Sequence, residues 1–159
     1  MMRIDEFNPE TDLEITRVIG ASPAVVWRCL TEAALLERWF CPVPWQVRGA
    51  VIEAEPGGIF HTPMYGPEGE VQDEGPGCVL VAEPRRAFAF SDAMGPGFRP
   101  RDGGFMTGVY LLEAVEAGTR IVARALHGDV ATKEKHAEMG FELGWGAALD
   151  QLDALAQGI

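Results

Sequence analysis

Hydrophobic and polar residues change rhythm along the chain. In DLEITRVIG, from Asp12 to Gly20, Leu13, Ile15 and Ile19 alternate with polar neighbours, the period-two pattern of a half-buried strand. ASPAVVWRCL follows, where Ser22 can cap a helix and Pro23 can take its first position, at which a missing N–H costs nothing. Thr31 offers a cap for a second short helix over Glu32–Trp39, a stretch of strong helix formers stopped by Pro42 and Pro44. From Gln46 to Leu126, short apolar and β-branched runs are broken by EPGG, YGPEGE, DEGPG, AEPRR, MGPGFRPRDGG and EAGT, the punctuation of an antiparallel meander. The expected strands are Gln46–Glu53, Gly58–Met64, Glu70–Asp73, Cys78–Ala82, Phe88–Ser91, Gly104–Val115 and Thr119–Leu126, the last two forming a hairpin that turns near Ala117 and Gly118.

After Gly128 the period lengthens. Thr132 can cap a long helix in which Phe141, Trp145, Ala148, Leu149, Leu152 and Leu155 make one apolar stripe, with Lys133, Lys135, Glu138, Glu142, Asp150 and Asp153 on the wet side. At about 25 residues it spans roughly 38 Å and can bury its stripe only against the sheet. Gly140, Gly144 and Gly146 lie inside it, each costing roughly 1 kcal/mol against alanine, so the position of each needs a reason. One strand, two short helices, a run of strands and one long helix make an α+β domain.

The 159 residues suit one domain, 1–159, with its core between about 13 and 155. A net charge of -11, from 13 basic and 24 acidic residues, repels a nucleic-acid backbone or an anionic membrane surface, so neither is expected as a partner. Cys29, Cys41 and Cys78 are too far apart for a CxxC pair and too few for a disulfide framework, which fits a reducing cytoplasm. MMRIDEFNPETD has no apolar signal region, and no stretch reaches the roughly 20 apolar residues of a membrane span.

Four pieces in order carry a family likeness: ASPAVVWRCLTEAALLERWFCP, RGAVIEAEPGGIFHTPM, GCVLVAEPRRAFAF, and EAGTRIVARALHG running on to GWGAALDQLDAL. With them the chain resembles the SRPBCC superfamily of START and birch-pollen-allergen-like domains, in the branch related to the C-terminal domain of the activator of the heat-shock-protein-ninety ATPase. The resemblance implies a helix-grip fold, a curved antiparallel sheet wrapped around a long C-terminal helix with a cavity between them. A Gly-Trp pair early in that helix matches Gly144 and Trp145, which would place Trp145 at one end of the cavity; plain core packing is the equal alternative. The elements that face the grip supply Trp39, Phe40, Met64, Phe88, Phe90, Met106, Tyr110, Trp145 and Leu149 as lining, and each of these could equally be filled core. Tyr110 adds a polar handle, since a buried phenol wants a partner. Glu53 and Glu55 precede a Gly-Gly turn, as in the family. Glu53 or His61 becomes a polar anchor or general base if it points inward, and a surface carboxylate otherwise.

His61, His127 and His136 are isolated in sequence, with no His or Cys at metal-ligand spacing, so no metal is expected. GxSxG, GxxxxGK[ST] and GxGxxG are missing, so no cofactor is expected either, and GPGFRPRDGG reads as a mobile loop. Glu68, Glu70, Asp73 and Glu74 make a solvated acidic tip rather than a calcium loop. Arg85, Arg86, Arg99 and Arg101 make a solvated or salt-bridged face, with capture of a ligand carboxylate as the lesser alternative. These readings favour a non-enzymatic protein that holds a hydrophobic or amphipathic small molecule. The first alternative is a polyketide cyclase or dehydratase-like enzyme using the same cavity. The second is a chaperone ATPase regulator, weakened because the named activator joins this domain to a separate one for which the chain has no room. Exposed edge strands leave a homodimer open.

Overall fold

A computed structural model describes residue 4 and residues 6–159. β1 (Asp12–Ile19) turns Ile15 and Ile19 inward, as its alternation requires. α1 (Pro23–Thr31) begins at the expected signal: Ser22 accepts the Val25 N–H and Pro23 takes the first position. α2 is only Ala33–Leu36, and Thr31 does not cap it. Thr31 ends α1, its hydroxyl donating back to the Trp27 carbonyl, and Glu32 stands at the N-cap of α2 without a side-chain capping bond, its carboxylate accepting from Arg28 instead.

The meander is more finely cut than the pattern suggests. β2 (Gln46–Val47) and β3 (Val51–Ile52) replace one long strand, because the Glu37 carboxylate takes the Ala50 N–H and the chain passes between sheets there. β4 (Ile59–His61) and β5 (Met64–Tyr65) likewise part at Pro63, which cannot donate to a ladder. β6 (Val71–Gln72), β7 (Gly77–Glu83) and β8 (Ala87–Ser91) follow. The stretch expected to be a mobile loop instead forms a small ribbon, β9 (Met94–Gly95) with β10 (Arg99–Pro100), and Arg101 fastens it by donating to the carbonyls of Glu74 and Pro76. β11 (Thr107–Val115) starts later than expected because Asp92 Oδ1 accepts the Phe105 and Met106 N–H groups at 2.7 and 3.1 Å. β12 (Gly118–Leu126) returns from a two-residue turn, Val115 facing Gly118. The large sheet runs β1-β12-β11-β8-β7-β4-β3, antiparallel throughout, beside a three-stranded sheet β2-β5-β6.

The expected long helix is two. Asp129, not Thr132, is the cap, accepting the Thr132 N–H at 2.7 Å, and α3 (Val130–Glu138) ends at Gly140. There φ is +93°, a left-handed conformation that glycine adopts without strain and that no continuous helix allows. α4 (Phe141–Gln157) then lies against β1. At Gly146 a Cβ would sit 2.9 Å from the Arg17 guanidinium and 3.3 Å from the Ile15 Cδ1, so the missing side chain is what admits the strand. Arg17 pairs with Asp150 at 3.2 Å, and Asp153 accepts the Gly20 N–H at 2.8 Å, holding the two elements together at their wet edge.

Between helix and sheet, Leu30, Leu36, Trp39, Phe88, Ile121, Leu149 and Leu152 are fully buried. Trp39 meets the demand of its own indole N–H by donating to the Cys29 carbonyl at 2.8 Å. Cys29, Cys41 and Cys78 are free, buried thiols.

Candidate functional site: an apolar cavity under the C-terminal helix

The sheet and α4 do not meet everywhere. Near the α3–α4 junction they leave a cavity of about 220 Å³. The segment after α2 contributes Trp39, Phe40, Cys41 and Pro42, the sheet side contributes Met64, Met106 and Tyr110, and the helices contribute His136, Met139, Phe141, Trp145, Ala148 and Leu149. Gly144 also borders it, and a Cβ there would meet nothing nearer than Pro42 at 4.0 Å, so this glycine leaves the mouth open. Trp145 stacks on Tyr110 with ring centres 6.1 Å apart and tilts against Phe141 at 4.8 Å.

Trp39, Phe40, Met64, Met106, Tyr110, Trp145 and Leu149, named from the sequence, all line this cavity. Phe88 does not. It shares a strand face with Phe90 but lies two residues along β8, where its ring is held between Trp27 and Phe60 at 6.0 and 5.9 Å. Phe90 borders a second hollow of about 180 Å³ and stacks on Phe60 at 3.9 Å. His61 lies in that second hollow, its Nε2 2.7 Å from Asp73 Oδ1. Glu53 reaches neither hollow. It is exposed, and its carboxylate accepts the Ile59 N–H across the β3–β4 turn, so it braces a hairpin. Phe40, Met64 and Met106 touch both hollows and form the wall between them.

Two features escape sequence reasoning. The first is a histidine pair. His127, at the end of β12, has Nδ1 2.7 Å from the Thr11 carbonyl and Nε2 2.8 Å from His136 Nδ1. The signal was Asp129: a cap there puts His136 seven residues on, two helical turns, and brings it back over the strand end. The second is Gln151. Its amide nitrogen donates to the Trp39 and Cys41 carbonyls at 3.1 and 2.9 Å, and its oxygen accepts the Val43 N–H at 3.0 Å, fixing the mouth segment to α4.

Among the described residues, no Asp, Glu, Lys or Arg lines the cavity. Burial and the neighbouring His127 push the His136 imidazole down to about 4, so it is uncharged at neutral pH. Burial alone raises the Tyr110 phenol well above its ordinary value and also raises the Cys41 thiol, which is therefore no thiolate nucleophile. No group of three or more metal-ligating side chains occurs among the described residues.

A curved antiparallel sheet closed by a C-terminal helix over an apolar cavity is the helix-grip architecture. Residues 20–157 match the family described as Activator of Hsp90 ATPase homolog 1-like protein, and the chain belongs to that family, within the SRPBCC superfamily. It is similar to a crystal structure from Nitrosomonas europaea at 35% identity, covering 96% of this chain and 97% of that one with a TM-score of 0.91. A Rhodobacter sphaeroides crystal structure is similar at 25% identity, 96% and 97% coverage and a TM-score of 0.81. A solution structure from Arthrobacter aurescens is similar at 26% identity, 98% and 91% coverage and a TM-score of 0.78. No curated protein matches the chain. No helix among the described residues is long and apolar enough to cross a membrane.

Proposed function

We propose that the protein binds a small apolar molecule in the cavity between sheet and C-terminal helix. The observation that carries this reading is the combination of an uncharged, aromatic and methionine-rich wall with an open mouth, where a filled core would leave no space. Its volume of about 220 Å³ lies below the roughly 300–1,000 Å³ of sites for drug-sized ligands, which suits a body of one or two rings. Met64, Met106 and Met139 supply side chains that adapt to irregular shapes.

Calorimetric titration with 2-methoxynaphthalene tests this reading. Saturable one-to-one binding with a negative heat-capacity change is expected. Gly144→Leu should weaken it at least tenfold by filling the mouth, without lowering the unfolding midpoint, because leucine is the better helix former and the space beside Gly144 is open. Absence of binding to the native protein, or undiminished binding to Gly144→Leu, would count against the cavity as the site.

A further inference from the structure

Two polar groups on the cavity wall have no hydrogen-bond partner among the described residues. Tyr110 is 4% exposed and His136 7%, so both are more than nine-tenths buried. The Tyr110 hydroxyl makes no hydrogen bond among the described residues, and neither does His136 Nε2, since the pairing with His127 uses Nδ1. Yet no sealed, unsatisfied side-chain nitrogen or oxygen occurs among the described residues, so both atoms are open to a space. Both residues line the same cavity, and we assign that space to both atoms.

The proton positions follow from the partners. A carbonyl oxygen only accepts, so the Thr11 carbonyl fixes the hydrogen of His127 on Nδ1. With its one hydrogen there, His127 presents a lone pair at Nε2, and His136 donates its Nδ1 hydrogen to it. That leaves His136 Nε2 as a bare acceptor. Thr11, His127 and His136 thus form a relay of fixed direction that sets one lone pair against an otherwise apolar wall. Trp145 stands between the two polar groups, its ring centre 6.1 Å from both the Tyr110 and the His136 rings.

Resting on the binding reading above, we infer that the ligand is an uncharged molecule carrying a hydroxyl group, which donates to His136 Nε2 while its apolar body lies among Tyr110, Phe141 and Trp145. A ligand without a donor would leave the acceptor unpaired in a low-dielectric space. A carboxylate would fare worse. It would lose its water, find no cation on the wall among the described residues, and face the imidazole lone pair.

Three probes with one ring system separate the possibilities: 2-naphthol, its methyl ether 2-methoxynaphthalene, and 2-naphthoate, each titrated into the full chain at pH 7.5. The naphthol should bind at least tenfold more tightly than the ether, and the naphthoate should bind more weakly than either. His136→Phe should erase the naphthol's advantage, so that naphthol and ether bind alike. Tyr110→Phe should retain the preference for the hydroxyl. Should His136→Phe fail to fold, the native protein's three affinities still decide the matter. Equal binding of naphthol and ether overturns this inference and leaves the cavity reading standing, as does a preference lost in Tyr110→Phe but kept in His136→Phe. Tightest binding of the naphthoate overturns it too, and failure of all three to bind overturns both.

Discussion

The two hollows share a wall and each holds one histidine, but they treat it in opposite ways. His136 sits among Phe105, Phe141 and Trp145, its charged form disfavoured by burial and by His127. His61 lies 2.7 Å from a carboxylate, and Asp73 is held below its ordinary range by that contact and by the Gly75 N–H. One hollow is built to keep charge out and the other to balance it. The difference teaches that a histidine's meaning lies in its neighbours, which isolated positions in a sequence do not disclose.

The largest test of this contrast concerns what the walls are for. Phe90, 6% exposed and stacked on Phe60, is core as well as wall, so Phe90→Ala should cost about 3–5 kcal/mol in urea unfolding. Trp145 is half-buried over open space, and Trp145→Ala should cost less, about 2 kcal/mol. Equal losses would show that the cavity is sealed core.

Acid gives the next largest effect. The folded His136 titrates at about 4 against an ordinary 6.5, so the unfolded chain takes up the proton first. Stability is complete above pH 6.5 and falls by up to about 3 kcal/mol as the pH drops towards 4. Urea midpoints across this window should show the fall in the native protein and in His61→Asn, and lose most of it in His136→Phe. The reverse pattern would break the contrast between the two histidines. The smallest effect belongs to the other hollow: Asp73→Asn removes an exposed pair, and its thermal midpoint should stay within experimental scatter of the native protein's.

What the sequence discloses is what local chemistry decides. Ser22-Pro23 starts α1, alternation orients Ile15 and Ile19, and the β11–β12 hairpin turns where it should, because caps, periods and two-residue turns act over a few residues. The stripe through α4 likewise brings Trp145 and Leu149 to the cavity. The break at Gly140 is harder to see, since Glu138 and Met139 before it and Glu142 and Leu143 after it are good helix formers, and a single glycine can sit inside a helix as well as end one. Phe88 and Phe90 share a face and a chemistry, and two positions along β8 decide which of them borders a hollow. The relay from Thr11 through His127 to His136 joins three elements, and no local pattern encodes it.

The partition made by Phe40, Met64 and Met106 carries one further consequence. These three side chains border both hollows, so the wall that limits each space is made of groups that substitution can shorten. Shortening Met64 or Met106 should join the two spaces into one longer chamber with His136 at one end and the His61–Asp73 pair at the other. In this scaffold the shape of the internal space can thus be altered by substitution at the partition while the sheet stays as it is.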